Sequence, residues 1–254
     1  MKLQILVTDS GRYAVQRLDL FSAMLADSGF TVGMHTADLN EAVSLVRENR
    51  CDILVCFNRA PDFLAARLLR LTADLPVRMP AIVISEYDDS QRMRECFLLG
   101  AIDFLSEPVV PEDLLRALNR AAEMIHTRLI DSEYRTALAD ALSILPQSPQ
   151  NTPILAKLED FLLKMKDQAA TVELAADYFG FNRDYFGRWF KAKLGMTFGE
   201  FYKELQIRYA RLLLESGQFR VQDVSRLLGF SSPDYFTRVF KRRTGQLPSD
   251  YRRL

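Results

Sequence analysis

No stretch of this chain holds the run of about eighteen apolar residues that a membrane-spanning helix needs, which excludes an integral helical membrane protein. Cysteine and histidine are scarce. The three cysteines (Cys51, Cys56, Cys96) and two histidines (His35, His126) are too scattered for a disulfide framework or a zinc site. The thiols read as small buried hydrophobes in a reducing cytoplasm. The opening MKLQILVTDS has too short an apolar segment and no small-residue cleavage site, so it does not read as a signal peptide. No nucleophile–base pair or metal-ligating cluster stands out, so an enzyme is the least supported class and no cofactor is expected. Net charge is absent too, with 33 basic and 33 acidic residues.

What is present is a globular composition of 254 residues, 48% apolar and 26% charged, long enough for two ordinary domains. The zero charge hides an asymmetry. From Ile154 onward there are 18 basic and 12 acidic residues, which leaves 15 basic and 21 acidic before it. A basic second half opposite an acidic first half suggests two domains, the second facing a polyanion.

The first 120 or so residues alternate strand and helix signals. Strand-length apolar runs lie at Leu3–Val7, Ile53–Phe57 and Ala81–Ser85, with weaker ones at Thr31–Met34 and Asp103–Leu105. Val15, Leu18, Phe21, Met24 and Leu25 recur at helical spacing, as do Phe63, Leu64, Leu68 and Leu71. Five β–α units predict a parallel sheet covered on both faces, with its chemistry at the C-terminal strand ends. A fifth helix opens at Pro111 and meets no breaker until Pro146. Within it Leu115, Leu118, Ala122, Ile125 and Leu129 form one seam, and Tyr134, Leu138, Ala141 and Leu145 a shifted one. Two readings stand: a dimerising coiled coil with a stutter, or a helix that packs on its own domains. The segment 146–153 reads as a proline-rich linker, and all that follows reads as helix.

The second half repeats itself. Gly180-Phe-Asn-Arg-Asp-Tyr-Phe-Gly-Arg-Trp-Phe-Lys191 returns as Gly229-Phe-Ser-Ser-Pro-Asp-Tyr-Phe-Thr-Arg-Val-Phe-Lys241. Each copy follows an amphipathic helix, Val172–Phe179 or Val221–Leu228, that ends at a glycine suited to a left-handed cap. Each second helix opens at a capping residue, Asn182 or Ser232. Helix, glycine turn, helix is the helix-turn-helix plan, expected at about 171–194 and 221–243. Helical periodicity puts Phe186, Trp189, Phe190 and Leu194 in the core, with Phe236, Val239 and Phe240 in the other copy. The opposite faces carry Arg183, Asp184, Gly187, Arg188 and Lys191, then Pro233, Asp234, Thr237, Arg238 and Lys241. Arg188 and Arg238 can read guanine O6 and N7 bidentately, or bind phosphate instead. Asp184 and Asp234 sit where they offset the helix dipole.

These two copies resemble the AraC/XylS family of DNA-binding domains over residues 154–254, the second copy almost throughout. The resemblance implies two helix-turn-helix units joined by a long helix near Phe198–Glu215, double-stranded DNA as partner, and a transcription activator that contacts RNA polymerase.

Residues 1–125 resemble the response-regulator receiver, a flavodoxin-like (βα)5 domain. The likeness rests on Asp52-Ile-Leu-Val-Cys-Phe-Asn-Arg-Ala-Pro61, on Pro80-Ala-Ile-Val-Ile-Ser85 and on Gly100-Ala-Ile-Asp-Phe-Leu-Ser-Glu-Pro108. Phosphotransfer needs a carboxylate nucleophile, acids for magnesium, a hydroxyl and a lysine. Aligned on the family, the nucleophile's place holds Phe57, one acid is Thr8 beside Asp9, the lysine is Glu107, and Ser85 keeps the hydroxyl. Asp52 and Asp62 lie off the pocket floor, and Pro61 supports the register. Phe104 stands at the coupling aromatic, or is simply core. The resemblance thus implies an α/β pseudo-receiver, a helical extension and linker over 126–153, and an all-α domain over 154–254. It further implies a cytoplasmic regulator that dimerises through its receiver face or its 111–145 helix. The rival readings are a conventional phosphorylation-dependent regulator and an interaction module whose first domain binds a protein or small molecule.

Overall fold

A computed structural model describes residues 2–11, 14–26, 28–60, 63–76, 78–86 and 90–251. Pro61 and Asp62 lie outside these residues, and the side chain of Val15 is likewise not described. The chain divides into two compact units, 1–128 and 129–254.

In the first unit, strands β1 (Leu3–Thr8), β2 (Phe30–Thr36), β3 (Ile53–Asn58), β4 (Ala81–Ser85) and β5 (Ala101–Ser106) alternate with helices α1 (Ala14–Met24), α2 (Leu39–Arg47), α3 (Leu64–Leu71) and α4 (Ser90–Leu98). The sheet is parallel in the order β2-β1-β3-β4-β5. Strand periodicity of two divides its side chains between two cores. Ile5, Val7, Ile53, Val55, Phe57, Ile82 and Ile84 pack toward Phe21 of α1 and Leu114, Leu118 of α5 (Pro111–Ser143). Leu6, Leu54, Cys56, Ala81 and Val83 pack toward Ala42, Val46, Leu68 and Cys96. The expected five-unit α/β architecture is therefore present. The two weak strands run longer than expected, because backbone pairing carries them past their apolar residues. Phe63 does not join the α3 stripe; it precedes the helix in a left-handed conformation (φ 41°).

Helix α5 packs its two seams on different cores. Leu118 is buried in the first unit's core, with Leu115, Ala122 and Ile125 packed against it. Tyr134, Ala137, Leu138, Ala141 and Leu145 are buried in the core of the second unit. Each seam thus packs on the core of its own unit, although Leu115, Ala122, Ile125 and Leu129 stay partly exposed. The segment 146–153 also differs from a free linker. Asn151 is buried, and its Nδ2 donates to the carbonyls of Pro146 (3.0 Å) and Lys193 (3.4 Å). The unit boundary falls at 128/129, inside α5, rather than at the prolines.

The rest of the second unit comprises α6 (Thr152–Lys164), α7 (Val172–Phe179), α8 (Arg183–Leu194), α9 (Phe198–Glu215), α10 (Val221–Leu227), α11 (Pro233–Thr244) and the short α12 (Pro248–Tyr251). Aromatic rings fill its core: Phe161, Phe186, Phe190, Phe201, Phe236 and Phe240 are almost fully buried.

Candidate nucleic-acid interface and receiver pocket

Local chemistry sets both helix-turn-helix units. Thr171 caps α7, and its side-chain oxygen accepts from the Leu174 amide. Gly180 (φ 79°) and Gly229 (φ 71°) turn the chain through the left-handed region that a side chain disfavours. Asn182 then caps α8 by accepting from Tyr185 N (2.9 Å), and Ser232 caps α11 by accepting from Tyr235 N (3.1 Å). Phe186, Phe190 and Leu194 pin α8 to the core, and Phe236, Val239 and Phe240 pin α11. This orientation leaves Arg183, Asp184, Arg188 and Lys191 exposed on α8, and Asp234, Arg238 and Lys241 on α11. Thr237 and Ser232 are half-buried, and Ser232 serves as a cap. Arg183 leans back to Glu173 of α7 (2.9 Å), away from a free outward reach.

Two residues of this surface escaped the sequence reading. Tyr185 and Tyr235 are 47% and 37% exposed at equivalent positions of the two helices. The Lys203 Nζ of α9 lies 3.5 Å from the Tyr235 hydroxyl, and the Arg238 guanidinium stands 5.9 Å from that ring. Their identity in both copies was the available signal.

In the first unit, the C-terminal strand ends bring Thr8, Asp9, Phe57, Ser85 and Glu107 to one place. Ser85 is buried, and its hydroxyl donates to the carbonyl of Asn58 (3.3 Å). Phe57 is 4% exposed and meets Phe21 edge-on. Phe104 is half-buried against the opposite core, apart from the pocket. The group that organises the pocket is one the sequence reading passed over. Arg59, whose side chain is 7% exposed, forms ion pairs with Glu86 and Glu107, and its Nε lies 3.6 Å from Asp9. Asp9 also accepts from Arg17 Nε (2.7 Å) and Gly11 N (2.8 Å). The Arg17 and Arg59 guanidinium carbons stand 5.8 and 5.6 Å from the centre of the Phe57 ring, within cation–π reach. An arginine two residues past Phe57, just beyond the end of a mostly apolar strand, was the signal for it.

This donor set does not fit magnesium, the ion a receiver fold implies. Magnesium takes several oxygen ligands in near-octahedral order. Here Phe57 and Thr8 stand where carboxylates would, and both Asp9 oxygens are already engaged by guanidinium and amide donors. Arg59 is the cation that Glu86 and Glu107 share, with Asp9 beside it.

Comparison with known proteins agrees with the two-unit architecture. The response regulator receiver domain matches residues 12–119, and a helix-turn-helix domain matches residues 175–254. The chain is a receiver joined to an AraC-type helix-turn-helix domain. It is 26% identical over 229 residues to an uncharacterised response regulatory protein of Staphylococcus epidermidis, covering 89% of this chain and 88% of that one. It is 33% identical over 100 residues to the transcriptional regulatory protein FixJ of Rhizobium meliloti, covering 39% of this chain and 48% of FixJ. It is 37% identical over 65 residues to the HTH-type transcriptional activator RhaR of Salmonella heidelberg, covering 26% of this chain and 23% of RhaR. The protein is a DNA-binding transcriptional regulator with a receiver domain. Among the described residues, no helix is long and apolar enough to cross a membrane.

Proposed function

We propose that this regulator is a cytoplasmic transcription activator whose receiver works without aspartyl phosphorylation. The Arg59 guanidinium carries the reading: it pairs with Glu86 and Glu107 and lies beside Asp9, where a receiver would place a metal ion. Phe57 offers no oxygen to a phosphoryl donor, and Glu107 repels the incoming phosphoryl group where a lysine would attract it. The DNA side acts through α8 and α11, which enter major-groove segments about one helical turn apart on the same face. Arg188 and Arg238 read bases, while Lys191 and Lys241 hold phosphates. From DNA the protein contacts RNA polymerase, as the likeness to an activator suggests. Self-association uses the receiver's exposed surface, since the α5 seams pack on the chain's own cores.

Incubation of the full chain with acetyl phosphate and magnesium tests the receiver reading. Mass spectrometry should find no added phosphoryl group, and Phe57→Asp alone should not restore transfer. A stoichiometric, base-labile phosphoryl group on the receiver would overturn the proposal.

A further inference from the structure

A cleft of about 430 Å³ opens directly over Phe57. Its walls are Leu20, Phe21 and Met24 of α1 and Pro108 and Val109 after β5, with Phe57 as floor. Arg17, Glu86 and Glu107 form its polar edge. This size and composition match a small-molecule site, in which a mostly apolar lining carries a few charged groups that orient the ligand. One wall exposes apolar surface that a ligand could bury: Leu20 is 63% exposed, and leaving a large aliphatic group in water costs free energy.

The charges select the class of occupant. Three carboxylates (Asp9, Glu86, Glu107) face two guanidinium groups (Arg17, Arg59), so the group carries one excess negative charge. Arg59 lies inside, with its side chain 7% exposed, while Arg17 and Glu107 on the edge are 20% and 18% exposed. The most exposed member is Glu86, at 45%, on the cleft's edge. A ligand entering from solvent therefore meets a carboxylate first, above an aromatic floor.

We infer that this cleft binds a small molecule with an apolar body and a single cationic head, the body resting on Phe57 and the head at Glu86. The inference rests on the proposed phosphorylation-independent receiver. Occupancy would bridge α1 to the segment after β5, the elements that form the two walls, so that a ligand takes the position a phosphoryl group has in other receivers.

Phenethylamine serves as the probe and 3-phenylpropionate as its charge-reversed counterpart, each titrated against the methyl-labelled full chain by NMR. Phenethylamine should saturate at millimolar concentration or below, with shifts confined to the methyl groups of Leu20, Met24 and Val109, while phenylpropionate should not saturate. Glu86→Gln should weaken binding about tenfold, the usual scale for losing a charge-assisted contact. Leu20→Trp, a change at an exposed position that spares the fold, should block the cleft. Absence of saturation by phenethylamine, equal binding of both probes, or shifts that map elsewhere would overturn the inference. The acetyl phosphate result separates the two failures. A phosphorylated receiver removes the reading beneath the inference, whereas an unmodified receiver that ignores phenethylamine removes the inference alone.

Discussion

Replacing Arg59 by leucine keeps most of the side chain's bulk and removes a guanidinium shared by three acids. Removing one partner of a buried ion pair costs about 3–5 kcal/mol, because the other charge stays buried and uncompensated. That figure needs trimming here. Asp9 keeps Arg17 and the Gly11 amide, and the Glu86 side chain, 45% exposed, returns to water at little cost. Glu107, with a side chain 18% exposed, bears most of the loss. We expect the receiver to lose about 3 kcal/mol, toward the lower end of that range. Trp189, the chain's one tryptophan, lies in the second unit, so its fluorescence follows that unit alone. Hydrogen exchange of β1, β3 and β4 peptides in a urea series then reads the receiver separately. The double variant Arg59→Leu/Glu107→Gln should recover about 1–2 kcal/mol of the loss, which is the coupling of a contacting pair. A loss below about 1 kcal/mol for Arg59→Leu, or no coupling to Glu107, would show that the guanidinium is not the charge centre of the pocket.

Other consequences follow from burial and charge. Leu138→Ala should destabilise the second unit by about 2–5 kcal/mol, read by Trp189 fluorescence, with no change in the mass found by light scattering; dissociation of a dimer would restore the coiled-coil reading of α5. The thiols of Cys51 and Cys56 are pushed up to about 12, and that of Cys96 to about 11, chiefly by burial. They should resist alkylation at pH 8 until the protein unfolds, and the folded state, which holds these protons more tightly, should lose stability as pH rises from about 9 toward 12. Arg238→Ala should cost about 1–3 kcal/mol on the specific duplex and less on a scrambled one. Lys241→Ala should weaken both alike and lower the salt slope by about one unit; an equal loss on both duplexes for Arg238→Ala would make that residue a phosphate contact instead.

The architecture was legible because two periodicities wrote it. The alternation of β1, β3 and β4 with amphipathic stretches gave the α/β unit, and the fifty-residue repeat gave both helix-turn-helix motifs with their caps. Tertiary contacts that no local pattern encodes were not legible. The α5 seams have the spacing of a coiled coil, yet the chain's own cores cover them, since an apolar stripe does not name its partner. Arg59 was missed for a related reason. A single arginine just past an apolar strand reads as a loop residue until Glu86 and Glu107, contributed by two other strand ends, converge on it.

The two DNA-facing helices are near copies in sequence but not in setting, and the difference bears on how the domain engages DNA. In α8, Arg183 is held by Glu173, Gly187 contributes no side chain, and the last turn holds Lys191 and Lys193. In α11, Thr237 stands at the position of Gly187, and the last turn holds Lys241, Arg242 and Arg243. Lys203 of α9 adds a further cation beside Tyr235. The second helix therefore concentrates the positive charge that drives counterion release and the side chains that can meet base edges. The first helix instead sits beside a ring cluster of Phe179, Phe181, Phe186 and Trp189. On the proposed DNA reading, that division gives most of the affinity to α11 and leaves α8 to register the second groove segment.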